Sequence, residues 1–268
     1  MVKPFFAAFE KIEMPRKKID LIIFDNTDNQ QLHAALSHEL KSIKDNFASA
    51  KLHISGRQGG RTILGQDNDV WKTSKLSPIW QMWLDMIKMI DTDIFFVLED
   101  DTIAPPHAFM ELVGQLISRE RCAFVTGIET GRAQFSWQKV RLGVHYLTRE
   151  KNLVVRRVSL HPDTQGVVSI DAAGVYCFAA RTEPYKKAFE GMGDYVASLP
   201  FFAMDNILTN NIKLAGWELY ADFDVWCEHL QQGSGNLVYF GKKQAVQMAD
   251  VWMPEYNNYA QGIEIKNT

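Results

Sequence analysis

The chain has 268 residues, 46% of them hydrophobic, and a formal net charge of -3. That is enough apolar chain for one large core or two closely joined halves. The slightly acidic balance argues against a general nucleic-acid binder or a binder of anionic membranes, and the short basic clusters Arg16-Lys17-Lys18 and Arg156-Arg157 read as solvated surface. Cys122, Cys177 and Cys227 are odd in number and lie in apolar stretches, which reads as free thiols in a reducing compartment. No apolar run approaches membrane-spanning length, so a cytoplasmic protein is expected, with peripheral membrane attachment left open.

Residues 4–12 read as a short helix with Phe5, Phe6, Phe9 and Ile12 apolar. A strand follows at 19–24 and stops at Asp25-Asn26-Thr27-Asp28-Asn29, a run of turn and N-cap residues. Leu32, Leu36, Leu40, Ile43 and Phe47 then recur at spacings of three and four, the mark of an amphipathic helix. After a short strand at 51–54, the Gly-, Asp- and Arg-rich stretch 56–69 reads as loop, and a helix is expected from Ser77-Pro78 to Ile90.

The apolar run Ile94-Phe95-Phe96-Val97 reads as a buried central strand, and it ends in Leu98-Glu99-Asp100-Asp101. Three carboxylates at such a strand end repel one another unless a divalent cation supplies positive charge. Ligands in open α/β sheets also bind beyond the carboxyl ends of strands. The bland alternative makes Asp101 or Thr102 the N-cap of the next helix, read over 105–118.

The second half changes character. Residues 122–180 hold several β-rich stretches, among them 153–155 and 167–170. Helices are expected at 182–189 and 203–214, the latter ended by Gly216. A strand from Trp217 to Asp222 continues into Val225-Trp226-Cys227-Glu228-His229, and one more is read at Leu237–Phe240. The whole pattern is α/β with a mixed, mainly parallel sheet flanked by helices.

Four stretches, in order, resemble the GT-A class of nucleotide-sugar glycosyltransferases, family 2 in particular. The turn after the 19–24 strand looks like the place where a carboxylate contacts the nucleoside, which implies Asp25 and Asn26. Glu99-Asp100-Asp101 resembles the DxD motif that holds metal, diphosphate and ribose. The small-residue run from Ile170 and Asp171 through Gly174 to Arg181 resembles the wall of the acceptor pocket. Met204-Asp205, then Gly216-Trp217, then Glu228-His229, is similar to the Glu-Asp helix, its following glycine and a metal-binding histidine. Met204 departs from the family's glutamate.

The resemblance implies one Rossmann-like GT-A domain over 1–268, with a nucleotide-sugar-binding half (1–101) and an acceptor-binding half with a C-terminal tail (102–268). It implies a UDP- or GDP-sugar donor, a glycan or other hydroxyl acceptor, and Mn2+ or Mg2+ held by Asp101, His229 and Glu99. Oxygen ligands suit both cations and a histidine tips the preference toward Mn2+. Such a cation neutralises charge developing on the leaving diphosphate. Asp100 and Glu99 would face the donor, and Glu228 is a candidate to orient His229. An inverting transfer needs a base. Asp205 is the first candidate, because a carboxylate in the first turn of an apolar helix is poised for a raised pKa, and Asp171 is the second.

Two rivals stand beside this reading. A sugar nucleotidyltransferase shares the architecture but carries a basic Gly-rich loop after its first strand, to which only Gly56–Arg61 bears any likeness. An inert nucleotide- or sugar-binding protein of the same fold is the other. The family opens with an apolar strand, whereas Met1-Val2-Lys3-Pro4 already reads as the start of a helix. A missing first strand is therefore expected, with its place either empty or filled by Leu237–Phe240. An empty place would leave an unpaired sheet edge and invite homo-oligomerisation.

Overall fold

The computed structural model describes residues 2–55, 82–130, 142–150, 153–190, 204–232, 237–243 and 255–257. Helix α1 (Val2–Phe9) buries Phe6 and Phe9, and a short turn leads into β1 (Asp20–Asp25). Asn29 caps α2 (Gln30–Ile43), its side-chain oxygen accepting from the N–H groups of Gln31 and Leu32. Strand β2 (Ser49–Ile54) returns parallel to β1. Residues 82–88 form α3, the described part of the helix expected from Ser77.

Strand β3 (Ile94–Leu98) carries the acidic end and β4 (Thr102–Ile103) follows at once. Helix α4 (Ala108–Ser118) begins well beyond both proposed N-caps. Asp101 lies in a turn and Thr102 in a strand, so the capping alternative fails. Then come β5 (Cys122–Ile128), β6 (Val144–Glu150), β7 (Leu153–Ser159), β8 (Val167–Ser169), β9 (Ala172–Ala173) and β10 (Cys177–Arg181). Helices α5 (Thr182–Glu190) and α6 (Met204–Leu214) precede β11 (Glu218–Trp226), β12 (Glu228–Gln232), β13 (Leu237–Phe240) and β14 (Glu255–Asn257). Gly216, at φ 91, makes the left-handed turn between α6 and β11.

The main sheet runs β3-β10-β5-β11-β8. Strands β5 and β11 pair parallel, while β10 is antiparallel to both β3 and β5 and so separates two strands of one direction. Alternation along these strands sends side chains to two layers. Phe124, Phe178, Ala180, Leu219 and Ala221 pack with Tyr185, Phe189 and Leu208 on one side. Val125, Cys177, Ala179 and Val225 pack with Leu40, Leu112 and Leu116 on the other. The result is a three-layer, Rossmann-like α/β/α arrangement. Cys122, Cys177 and Cys227 are free and buried, as expected. Burial pushes the Cys122 thiol up to about 11, which removes it from nucleophilic chemistry. No described helix is long and apolar enough to cross a membrane.

Two expectations are corrected. Strand β3 reads in sequence as fully buried, yet of its residues only Phe95 is, because among the described residues it pairs on one edge alone, with β10. β1 likewise pairs only with β2 there. Leu237–Phe240 does not join them: β13 pairs antiparallel with β12, where His229 lies opposite Phe240. A further sheet, β14-β7-β6-β9, stands apart from the main one.

Candidate functional site

The acidic strand end is fixed from both sides. The Glu99 N–H donates to the Tyr176 carbonyl at 2.8 Å, extending the β3–β10 ladder by one bond, and Thr102 N–H closes the turn onto the Glu99 carbonyl at 3.2 Å. Beyond the turn, β4 pairs antiparallel with β12, which sets His229 opposite Thr102. This register brings together residues 128 positions apart: His229 Nε2 lies 3.3 Å from Asp101 Oδ2. Asp100 is exposed and Glu99 half-buried.

His229 is buried, with 3% of its surface exposed, and both ring nitrogens face acceptors. Nδ1 is 3.2 Å from Glu129 Oε1 and 3.2 Å from the Thr130 carbonyl oxygen. Burial is the largest single influence and pushes the imidazole pKa down. It is outweighed by the hydrogen bond to Asp101, the charges of Glu129 and Asp101, and the Thr130 carbonyl, so the net direction is up. Glu228, the expected partner of His229, is exposed, since consecutive residues of β12 face opposite ways. Glu129 stands against the ring instead. Nothing local in the sequence marks it: it follows the mostly apolar strand β5 and reaches His229 only through the fold.

Asp101 and His229 fit a hard divalent cation as a pair. Their facing atoms, 3.3 Å apart, are spaced as two ligands of one ion with bonds of about 2.0–2.2 Å would be. Among the described residues no three His, Cys, Asp or Glu side chains close on one point. Glu99 is therefore not brought in as a third ligand. Two protein ligands suit a cation of the Mg2+ or Mn2+ type, which completes its shell with water and substrate phosphate oxygens.

Helix α6 starts next to the small-residue run. A Cβ placed on Gly174 would lie 2.8 Å from Tyr176 Cε1 and 3.5 Å from Asp205 Oδ2, so the Tyr176 ring is what demands glycine there and the Asp205 carboxylate lies alongside. Its Oδ1 accepts from Asn206 N–H at 2.7 Å and from Asn206 Nδ2 at 3.2 Å. The helix is locked to β9 by Thr209, whose hydroxyl oxygen accepts from Ala173 N–H at 3.0 Å. Beneath, Tyr185 is wholly buried and stacks on Phe178. Burial first, then the nearby charges of Asp205 and Glu99, hold its phenol far above the ordinary value, so it stays protonated.

Asp171 is differently placed. Its Oδ1 is 2.6 Å from Lys213 Nζ and its Oδ2 accepts from Leu147 N–H at 2.9 Å. Both oxygens join α6 to β6. Asp25 is buried at the end of β1, where Oδ1 accepts from Thr27 N–H at 2.9 Å and Oδ2 lies 3.2 Å from His33 Nε2. The adjoining Asn26 is half-buried. Gly56–Arg61 lies outside the described residues.

No family model matches the chain, and no curated protein matches it in sequence. Solved structures do match in fold. GalNAc-T7, crystallised with UDP, GalNAc and Mn2+, superposes at a TM-score of 0.56 with 14% identity, over 85% of this chain and 40% of that one. This chain thus spans about two fifths of the GalNAc-T7 chain. A glucose-1-phosphate thymidylyltransferase from Bacillus anthracis, in complex with a sucrose, matches at 0.48 with 10% identity, over 92% of this chain and 81% of that one. A UDP-glucose pyrophosphorylase complexed with UDP-glucose matches at 0.43 with 11% identity, over 92% and 84%. The first of these likenesses defines a GT-A-like fold; the other two are too distant to argue from.

Proposed function

We propose that this protein is a cation-dependent glycosyltransferase that moves a sugar from a nucleoside-diphosphate sugar to an acceptor hydroxyl with inversion. The observation that carries the proposal is the meeting of Asp101 and His229 at 3.3 Å beyond the carboxyl end of β3. Strand ends of open α/β sheets are where such ligands bind. A Mn2+ or Mg2+ ion there would supply positive charge to the departing diphosphate.

In this reading Asp101 and His229 hold the cation, while Glu99 and Asp100 face the donor's ribose and phosphates. Residues 1–101 contribute the nucleoside side, with Asp25 and Asn26 at the end of β1 as its contacts. Residues 102–268 contribute the acceptor side. Asp205 takes the proton from the attacking hydroxyl, since its half-buried carboxylate stands at the start of α6 beside the small-residue run at Gly174. Asp171 instead ties α6 to β6 through Lys213 and Leu147.

Incubation with UDP- and GDP-sugars plus Mn2+ tests the proposal. Release of free UDP or GDP that depends on Mn2+ is the expected result. Pyrophosphate made from a nucleoside triphosphate and a sugar phosphate would establish the nucleotidyltransferase reading instead. Binding with neither product would leave an inert sugar-nucleotide binder.

A further inference from the structure

Glu129 is a buried carboxylate, 5% exposed, at the exit of β5 and away from the acidic end of β3 in sequence. Burying a carboxylate is costly unless its oxygens are well partnered. Its Oε2 accepts from the Thr102 hydroxyl at 2.7 Å, and its Oε1 lies 3.2 Å from His229 Nδ1. The Glu129 main chain is pinned as well. Its N–H donates to the Tyr176 hydroxyl at 3.2 Å, and that hydroxyl donates onward to the Gly127 carbonyl at 3.0 Å. Each bond comes from a different element, so the carboxylate has little freedom to turn away from the imidazole.

We propose that Glu129 is the positioning residue for His229: with the Thr130 carbonyl it holds the proton on Nδ1, so that Nε2 faces the cation position beside Asp101. The inference rests on the functional reading above and adds to it a residue that touches neither cation nor substrate. Two acceptors facing one ring nitrogen place the hydrogen there, since only an N–H satisfies both. Nε2 lies at hydrogen-bond distance, 3.3 Å, from Asp101 Oδ2, and a cation entering between them would take the place of the proton in that bond while Nδ1–H stays on Glu129. A carboxylate behind the ring raises the basicity of the facing nitrogen and fixes the plane in which it presents its lone pair. Thr102 serves the same end, because strand pairing sets it opposite His229 while its hydroxyl anchors Glu129.

The test is the affinity of the full chain for Mn2+ in the presence of UDP, read from the electron paramagnetic resonance signal of free Mn2+. Glu129→Gln keeps the shape and removes the charge, and it is expected to weaken Mn2+ binding by roughly tenfold, within the range usual for outer-shell carboxylates. Its thermal midpoint should stay close to that of the wild type. Thr102→Val should give a smaller loss in the same direction. With Mg2+ and UDP bound, the 15N shifts of His229 should report a protonated Nδ1 in the wild type and a mixture of tautomers in Glu129→Gln. Wild-type Mn2+ affinity together with a wild-type 15N pattern in Glu129→Gln overturns the role of Glu129 alone. Should the wild-type chain itself bind no Mn2+ with UDP, the functional reading falls and the inference falls with it. Glu129→Ala is not needed for the decision, so a folding failure of that harsher variant has no bearing on it.

Discussion

The two sides of the candidate site are built in opposite ways. On the cation side, Asp101 and Thr102, Glu129 and His229 arrive from three segments far apart in sequence, and their side chains form one largely buried polar chain. On the proposed acceptor side, Asp205 and Asn206 are neighbours at one helix start, and the carboxylate lies beside Gly174. The first arrangement is stiff and selective, because every buried polar atom in it needs a specific partner. The second leaves one carboxylate half-buried, where a proton can enter and leave. A cation holder needs fixed ligands; a base needs access.

The largest expected effect lies on the acceptor side. Asp205→Asn should lower sugar transfer by about 10²–10⁴-fold, the usual worth of a general base, while Mn2+·UDP affinity stays within a few-fold. Nucleotide release rates and calorimetry on one preparation check both halves. More than roughly a tenth of wild-type turnover would remove Asp205 from the role.

The cation side should respond the other way round. His229→Ala and Asp101→Ala should each weaken Mn2+ binding in the presence of UDP by more than about 100-fold, beyond what loss of an outer partner does. Equal UDP affinity with Mn2+ and with EDTA would break the comparison at its root. In chelator, the raised pKa of His229 adds a second readout. A group whose folded pKa lies above its unfolded value adds stability that is fully present below the unfolded pKa and is lost as pH rises through the folded one. The metal-free wild type should therefore lose stability on going from acid toward neutral and alkaline pH, and His229→Ala should flatten that slope in thermal scans.

A smaller effect separates the two carboxylates that flank α6. Lys213→Met removes the partially exposed partner of Asp171 and should lower stability by about 1 kcal/mol or less. Mn2+ affinity should not move. Transfer falling as far as in Asp205→Asn would mean that Asp171, not Asp205, carries the chemistry. Smallest of all, Glu228→Gln should change neither stability nor cation affinity beyond about 0.5 kcal/mol, because the side chain is exposed on the far face of β12 from His229. A loss comparable to that of Glu129→Gln would restore Glu228 as the partner of His229.

Local pattern determined much of this protein. Spacings of three and four announced α2, which ends at Ile43 and leaves Phe47 beyond it, the Asx-rich turn before it supplied its cap, Asn29, and Gly216 ended α6. The acidic end of β3 and the small-residue run before β10 were legible for the same reason: side-chain period and turn chemistry act over a few neighbouring residues. His229 was legible only as one of a resembling set. What binds it to Asp101 is the register of β4 against β12, a contact between distant segments that no local period encodes. Glu129 was hidden because an acidic residue after an apolar strand looks like any solvated strand end until the fold turns it inward. Asp171 and Asp205 looked alike as carboxylates beside small residues. Only the packing of α6 on β9 put Lys213 against the first and Gly174 beside the second, because long-range packing, not residue type, decides which groups a carboxylate meets.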